Sequence, residues 1–252
     1  MRRFPSPRLL VTSALVAALG LAAGCEPKSR DLQPGLYRAV VELPGGEVPF
    51  GLDVVREKSG VALYLVNGKE RVRAPNAKSV PGKLTAQLPG TSNRLEARIS
   101  GDDLEGEVTL AGKGPGIGGV TADSSGKEVL AFSATRGRAW RFVEKPRTDN
   151  ADFAGRWAFT FTDDAGRKVP GVAEFTQSFH SVAGSMRTAG WEQQSLAGDA
   201  NDEQLELSLF DGRQAILYRG KLNDRGELEG ECWSTATGHL RYTATLNPDA
   251  TL

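Results

Sequence analysis

The chain is predicted to be all-β, built as two tandem antiparallel meander repeats. Three observations predict this. Apolar residues alternate with polar ones at period two in short runs, the strand signature. Clusters of Gly, Asp, Asn and Pro separate the runs and supply turn chemistry. Glycine accounts for 30 of 252 residues, about 12% against a usual ~7%, and no amphipathic helix longer than two turns can be found.

Taken in order, the first run places Tyr37, Ala39, Val41 and Leu43 on one face. Leu95, Ala97 and Ile99 do the same later, as do Leu104, Gly106, Val108 and Leu110. The second half repeats the pattern with Trp157, Phe159 and Phe161, then Leu205, Leu207 and Leu209, then Leu240, Tyr242, Ala244 and Leu246. Asp163-Asp164-Ala165-Gly166, Asp211-Gly212 and Asn223-Asp224-Arg225-Gly226 read as hairpin connections. Trp157, Phe159, Phe161, Tyr218 and Tyr242 fall on apolar strand faces and are expected in the core.

The halves look like copies. Gly35-Leu36-Tyr37 answers to Gly155-Arg156-Trp157, and Leu88-Pro89-Gly90 to Phe210-Asp211-Gly212. Leu104-Glu105-Gly106-Glu107 recurs identically as Leu228-Glu229-Gly230-Glu231, and Phe132-Ser133-Ala134-Thr135 answers to Tyr242-Thr243-Ala244-Thr245. The offsets are 120, 122, 124 and 110, and an insertion at the glycine-rich Gly112 to Lys127 accounts for the drop. Each copy offers roughly eight strands at 8–12-residue spacing, which suits a closed calycin-like barrel, with a β-sandwich as the alternative. The Gly-x-aromatic triplet at the head of each copy resembles the lipocalin and avidin superfamily. The expected boundaries are 35–143 for the first repeat, 144–152 for a linker and 153–252 for the second repeat.

Residues 1–24 read as a secretory signal: Arg2, Arg3 and Arg8 precede an apolar stretch from Leu9 to Gly24. Leu21-Ala22-Ala23-Gly24-Cys25 resembles the lipobox of bacterial lipoproteins, with the large aliphatic residue one place early. That resemblance implies lipidation of Cys25, with residues 25–34 as the lipidated cysteine and a short tether. Glu26, not aspartate, follows the cysteine, which implies the periplasmic face of the outer membrane. Without the signal the formal charge moves from neutral to −3. Such a mildly acidic chain has no electrostatic footprint for nucleic acid.

Several longer strings carry a second resemblance: Leu43-Pro44-Gly45-Gly46-Glu47-Val48-Pro49-Phe50-Gly51-Leu52, Phe132 to Gly137 with Arg141-Phe142, Gly155-Arg156-Trp157-Ala158 leading to Phe161-Thr162-Asp163-Asp164, Phe210-Asp211-Gly212, and Gly230-Glu231-Cys232-Trp233-Ser234. Together they resemble the region preceding the thioredoxin domain in TlpA-like thiol–disulfide oxidoreductase lipoproteins. The family's Cys-x-x-Cys is not in this chain, so no catalytic residue carries over. The resemblance implies a periplasmic accessory module standing alone, with a thioredoxin-like protein as a partner.

The residues offer little machinery for chemistry. Two histidines and one cysteine beyond Cys25 do not make a zinc site, an iron–sulfur cluster or a dithiol pair. Cys232 reads as a buried strand residue sharing a face with Leu228 and Gly230. His180, beside Ser178 and Ser181, and His239, beside Gly238, lie near turns with no nucleophile elbow, and read as surface histidines. Gly114-Pro115-Gly116-Ile117-Gly118-Gly119 satisfies the dinucleotide fingerprint, but turn formers follow it where a helix is required. Asp102-Asp103, Asp163-Asp164 and Asp199 with Asp202 lack calcium-loop spacing and read as hairpin tips. Trp191, in a turn region, and Trp233, on the face opposite Cys232, are the candidate exposed contacts for a partner or ligand. The expectation is a non-catalytic binding or scaffold protein without cofactor. The alternatives are an accessory to a separate thiol–disulfide enzyme and a calycin-like carrier of a small apolar ligand.

Overall fold

The computed structural model describes residues 29–58, 60–111, 121–122 and 127–252. Cys25, the signal segment and the Gly114 to Gly119 fingerprint lie outside the described residues. Every regular element among those described is a strand. The first half holds β1 (Gly35–Leu43), β2 (Gly46–Glu57), β3 (Gly60–Asn67), β4 (Glu70–Ala74), β5 (Lys78–Val80), β6 (Lys83–Gln87), β7 (Arg94–Ser100), β8 (Asp103–Thr109), β9 (Thr121–Ala122) and β10 (Glu128–Arg136). The second holds β11 (Gly155–Thr162), β12 (Lys168–Ser178), β13 (Ser181–Thr188), β14 (Glu192–Asn201), β15 (Gln204–Phe210), β16 (Ala215–Leu222), β17 (Leu228–Ser234) and β18 (Gly238–Leu246).

The second half closes into the eight-stranded antiparallel barrel that the strand count predicts, each strand pairing with the next and β18 returning to β11. The first half does not close. It is one curled sheet in the order β4-β3-β2-β1-β10-β8-β7-β6-β5, with β9 paired to β10. Neither half is a pair of stacked sheets. The first barrel fails at the gap between β4 and β5. These strands are only five and three residues long, and the link between them contains Pro75, which has no N–H to give a ladder. A single backbone bond, Gln87 N to Pro75 O at 3.1 Å, ties β6 to that link.

The two meanders nevertheless share register. Tyr37 pairs with Arg136 and Ala39 with Ala134, while Trp157 pairs with Leu246 and Phe159 with Ala244. Ala134 faces Leu104 as Ala244 faces Leu228. The four sequence anchors therefore fall on corresponding strands or the turns that follow them. A shared corner repeats as well. Tyr37 Oη donates to Gln33 O at 2.7 Å, and 120 residues later Trp157 Nε1 donates to Phe153 O at 2.9 Å.

The alternating faces pack as their pattern dictates, with Tyr37, Ala39, Val41, Trp157, Phe159, Phe161, Leu205, Leu207 and Leu209 all buried. Leu246 departs from its pattern, being 55% exposed where β18 runs out. The turns use the expected polar residues. Asp163 Oδ1 accepts from Ala165 N and Arg167 N, Asp211 Oδ1 from Arg213 N and Gln214 N, and Asn223 Oδ1 from Arg225 N and Glu227 N. The segment read as a tether is held down from Ser29 onward. Ser29 O and Arg30 O accept from Gly101 N and Gly82 N, both at 2.7 Å, and Leu32 is buried in the first half's core.

Candidate functional site

The residues with most to offer gather where the two halves meet. Strands β15 and β16 of the barrel lie against β2 and β3 of the sheet, and the contact is both apolar and polar. Phe210, Ala215 and Leu217 project out of the barrel into the core of the first half, where the Phe210 ring meets Phe50 at 4.6 Å. The buried Asn67 carboxamide behaves like a strand partner, donating to Phe210 O at 2.8 Å and accepting from Phe210 N at 3.3 Å. Ser208 Oγ donates to Pro49 O at 2.6 Å. Buried polar groups need such partners, and here each is satisfied across the seam.

Arg141 fastens the seam. Its Nε donates to Ser208 Oγ at 2.9 Å, and its Nη2 to Asn67 Oδ1 at 3.0 Å and Ser208 O at 3.1 Å. Its guanidinium is enclosed although the residue as a whole keeps some solvent contact. Burial pushes its pKa down to about 10, with the Asp199 carboxylate pulling the other way and Arg38 adding to the fall, so it stays charged at neutral pH. Asp199 completes the clasp by accepting from Phe142 N at 2.8 Å and Val143 N at 3.1 Å. It is therefore a buried strand residue of β14, not the hairpin-tip acid the sequence suggests. Arg38 Nε donates to Arg141 O at 2.9 Å, pairs with Glu47 at 2.6 Å and lies 4.1 Å from the Trp140 ring centroid.

Beside this clasp a cleft of about 530 Å³ opens, with walls from both halves. Leu36, Val66, Lys69, Arg138 and Trp140 come from the first half and its exit segment, and Thr176, Ser178, His180, Ser181 and Asp199 from the barrel. A second groove of about 550 Å³ shares Gly68, Lys69, Thr176 and Ala183 with it, so the depression continues past the β3–β4 hairpin. At the cleft's edge the β12–β13 hairpin turns through Phe179, which is 91% exposed with φ 55°. A positive φ is uncommon for a bulky side chain.

The sequence-nominated aromatics are placed otherwise. Trp191 and Trp233 are half-buried, so the free exposure behind their nomination is not found. The Trp191 ring meets Phe161 edge-on at 5.4 Å at the barrel core. Trp233 packs over Gly45, where a Cβ would collide with its indole, and against the first half's core. The His239 ring stacks on it at 5.4 Å. The β1–β2 hairpin, Arg141-Phe142, Phe210 and Trp233 thus meet at the seam, while Cys232 faces the barrel core.

His180 and Asp199 do come together, with Nε2 and Oδ1 4.0 Å apart, a pairing their separation in sequence conceals. No hydrogen bond joins Ser178 or Ser181 to that imidazole among the described residues, and 4.0 Å is beyond hydrogen-bonding range. Cys232 is 1% exposed, and burial pushes its thiol up to about 12, which leaves almost no thiolate for nucleophilic work. Among the described residues no group of three His, Cys, Asp or Glu could hold a metal ion. Aromatic side chains fill the barrel: Phe159 contacts Phe161, Phe175 and Tyr242 with centroids 5.1–6.4 Å apart, and Tyr218 Oη donates to Gln193 at 2.6 Å. Phe179, Trp140, Lys69 and Arg138 were not singled out by sequence reasoning. One signal was available, a Phe between two alternating runs with no glycine or asparagine to make the turn. Comparison with family models, curated proteins and solved structures finds no match to this chain.

Proposed function

We propose that this chain is a lipid-anchored protein of the periplasmic face of the outer membrane that works by binding a partner, and that the seam cleft is its binding face. The cleft carries the reading: it is concave, contains both polar and apolar groups, and is built jointly by two halves locked by buried hydrogen bonds, the setting in which binding sites recur. The barrel interior supports it too, because a barrel packed with its own aromatics leaves little room for a carried molecule. The shared register and the repeated Tyr37 and Trp157 corners support an origin by duplication.

A photo-crosslinking side chain tests the binding face in the intact envelope. Placed at Ser178, beside the cleft, it is expected to give discrete adducts. Placed at the exposed Thr243 on the barrel's outer wall, it is expected to give none. Equal labelling from both sites, or none from either, would overturn the reading. The anchor is tested separately by Cys25→Ala, expected to move the protein from the membrane fraction to the soluble one.

A further inference from the structure

We infer that the occupant of the seam cleft is an extended acidic peptide segment carrying an apolar side chain next to its carboxylates. This rests on the reading of the cleft as the binding face and adds the chemistry of what binds there.

The charge balance of the walls comes first. Lys69 and Arg138 line the cleft, and neither forms a salt bridge among the described residues. Arg38 is taken by Glu47 and Arg141 by Ser208 and Asn67. The one carboxylate of the wall, Asp199, is buried, engaged by the Phe142 and Val143 amides, and faces His180. Within this cleft Lys69 and Arg138, the latter 5.9 Å from the Trp140 ring centroid, are left for an incoming anion. The neighbouring groove adds Glu70 and an Arg156–Glu174 ion pair, so the anion belongs at the first cleft, and complementary charge sets which partners are admitted.

The shape comes second. The depression is an open groove continuing into a neighbouring one past Gly68 and Lys69. A hydrocarbon chain lying there would keep much of its surface in water and lose the gain that burial gives. An extended peptide tolerates a wet side; Ser178 and Ser181 along the wall offer hydroxyls that donate to or accept from its backbone, and Thr176 Oγ1, which donates to Ala183 O, can still accept. The apolar requirement comes from Leu36, which lines the cleft and is 47% exposed, and from the hairpin tip beside it, where Phe179, between the lining residues Ser178 and His180, is 91% exposed. Phe179 sits on a two-residue hairpin tip whose backbone is tied down, because Gln177 Nε2 donates to Phe179 O at 2.9 Å. An aromatic so presented suits contact with an apolar side chain of a partner.

The full chain, solubilised in detergent, would be used to select from a displayed library of random dodecapeptides. The wild type is expected to enrich sequences with Asp or Glu adjacent to an apolar residue. Lys69→Glu with Arg138→Glu is expected to lose that consensus or invert it to basic residues, and to bind a selected acidic peptide at least about tenfold more weakly by fluorescence anisotropy. Lys69→Gln with Arg138→Gln, a milder pair, is expected to fall between, with an unchanged circular dichroism spectrum and thermal midpoint. Phe179→Ser is expected to weaken the same peptide without changing its preference for acidic sequence. No enrichment, the same consensus from wild type and charge-reversed protein, or micromolar binding of laurate with no peptide selected would each overturn the proposal. Crosslinks from Ser178 that persist beside such a result would leave the cleft as the binding face and remove only the acidic peptide.

Discussion

One meander closes and the other does not, and their cores differ accordingly. The barrel's core is made of its own strands, from Phe153 through Ala244. The first half's core takes in Phe210, Ala215 and Leu217 from the barrel's outer wall. Closure removes sheet edges and leaves a self-sufficient interior. The open sheet uses its neighbour as a missing wall and blunts its edges in the ways natural sheets do. β5 is only three residues long. On β4, Arg71 and Arg73 bristle with charge, paired to Asp53 and Glu57 at 2.8 Å. Similar meanders can thus differ in closure, and a few outward-facing apolar residues join one half's core to the other's wall.

The largest expected effect comes from separating the halves. Residues 153–252 alone are expected to give a cooperative thermal transition and to resist limited proteolysis. Residues 29–143 alone are expected to give neither until the second fragment is added. A first fragment that melts cooperatively by itself would break the comparison. Within the intact chain, Phe210→Ala removes the ring that sits between the halves and leaves a cavity against Phe50. The expected cost is about 3–5 kcal/mol, read as a fall in the urea midpoint. Early protease cuts are expected in the first half while the barrel stays intact.

The sequence made much of this legible, for a physical reason. Period-two alternation reports one buried face, so strands such as Trp157, Phe159 and Phe161 could be read directly, and four short anchors were enough to align the halves. The failure to close was not legible, because closure depends on whether β4 and β5 meet, a long-range event that leaves no local pattern. The borrowed wall had a signal: Ala215-Ile216-Leu217-Tyr218 is a continuous apolar run, which marks a strand buried on both faces. The candidate site was least legible. Lys69, the pair Arg138 and Trp140, His180 and Asp199 come from four separate segments, and only the packing of one half on the other brings them to one cleft. Trp233 shows that an aromatic on an outward face also fits a seam within one chain.

Alkaline pH is expected to separate the halves by a different route. Burial pushes the Cys232 thiol up to about 12 from its ordinary value of 9.0, and burial raises the Tyr218 and Tyr242 hydroxyls as well. In the first half Tyr37 is also raised by burial, but the nearby Arg136 charge opposes that rise. Raised pKa values mean that the folded barrel holds protons the unfolded chain gives up. Stability is therefore fully present below about pH 9 and is lost as pH climbs towards 12. The thiol contributes a slope of about 1.4 kcal/mol per pH unit above pH 9, and each tyrosine adds the same above pH 10. Cys232→Ala is expected to flatten the decline in urea midpoint between pH 9 and 11. In native wild-type protein, the thiol is expected to react with a disulfide reagent only as fast as the barrel opens.

The smallest effect tests whether the two corners do the same work. Tyr37→Phe deletes the hydroxyl that reaches Gln33 O while keeping the ring, which is 0% exposed. The loss should be one hydrogen bond's worth, about 1 kcal/mol, or a fall of about 2–4 °C in Tm for a chain of this size. Trp157→Phe deletes the bond to Phe153 O and also shrinks a ring packed in the barrel core, so it should cost more by the volume left empty. The comparison is sharpened by a third variant, Trp157→Tyr, which offers a hydroxyl in place of the indole N–H and makes the barrel's corner resemble the sheet's. If the corners are equivalent, Trp157→Tyr should recover part of what Trp157→Phe loses. Identical midpoints for the two Trp157 variants, with no change in Tyr37→Phe, would mean that the aromatics matter only as filling and that the repeated hydrogen bond holds neither half together.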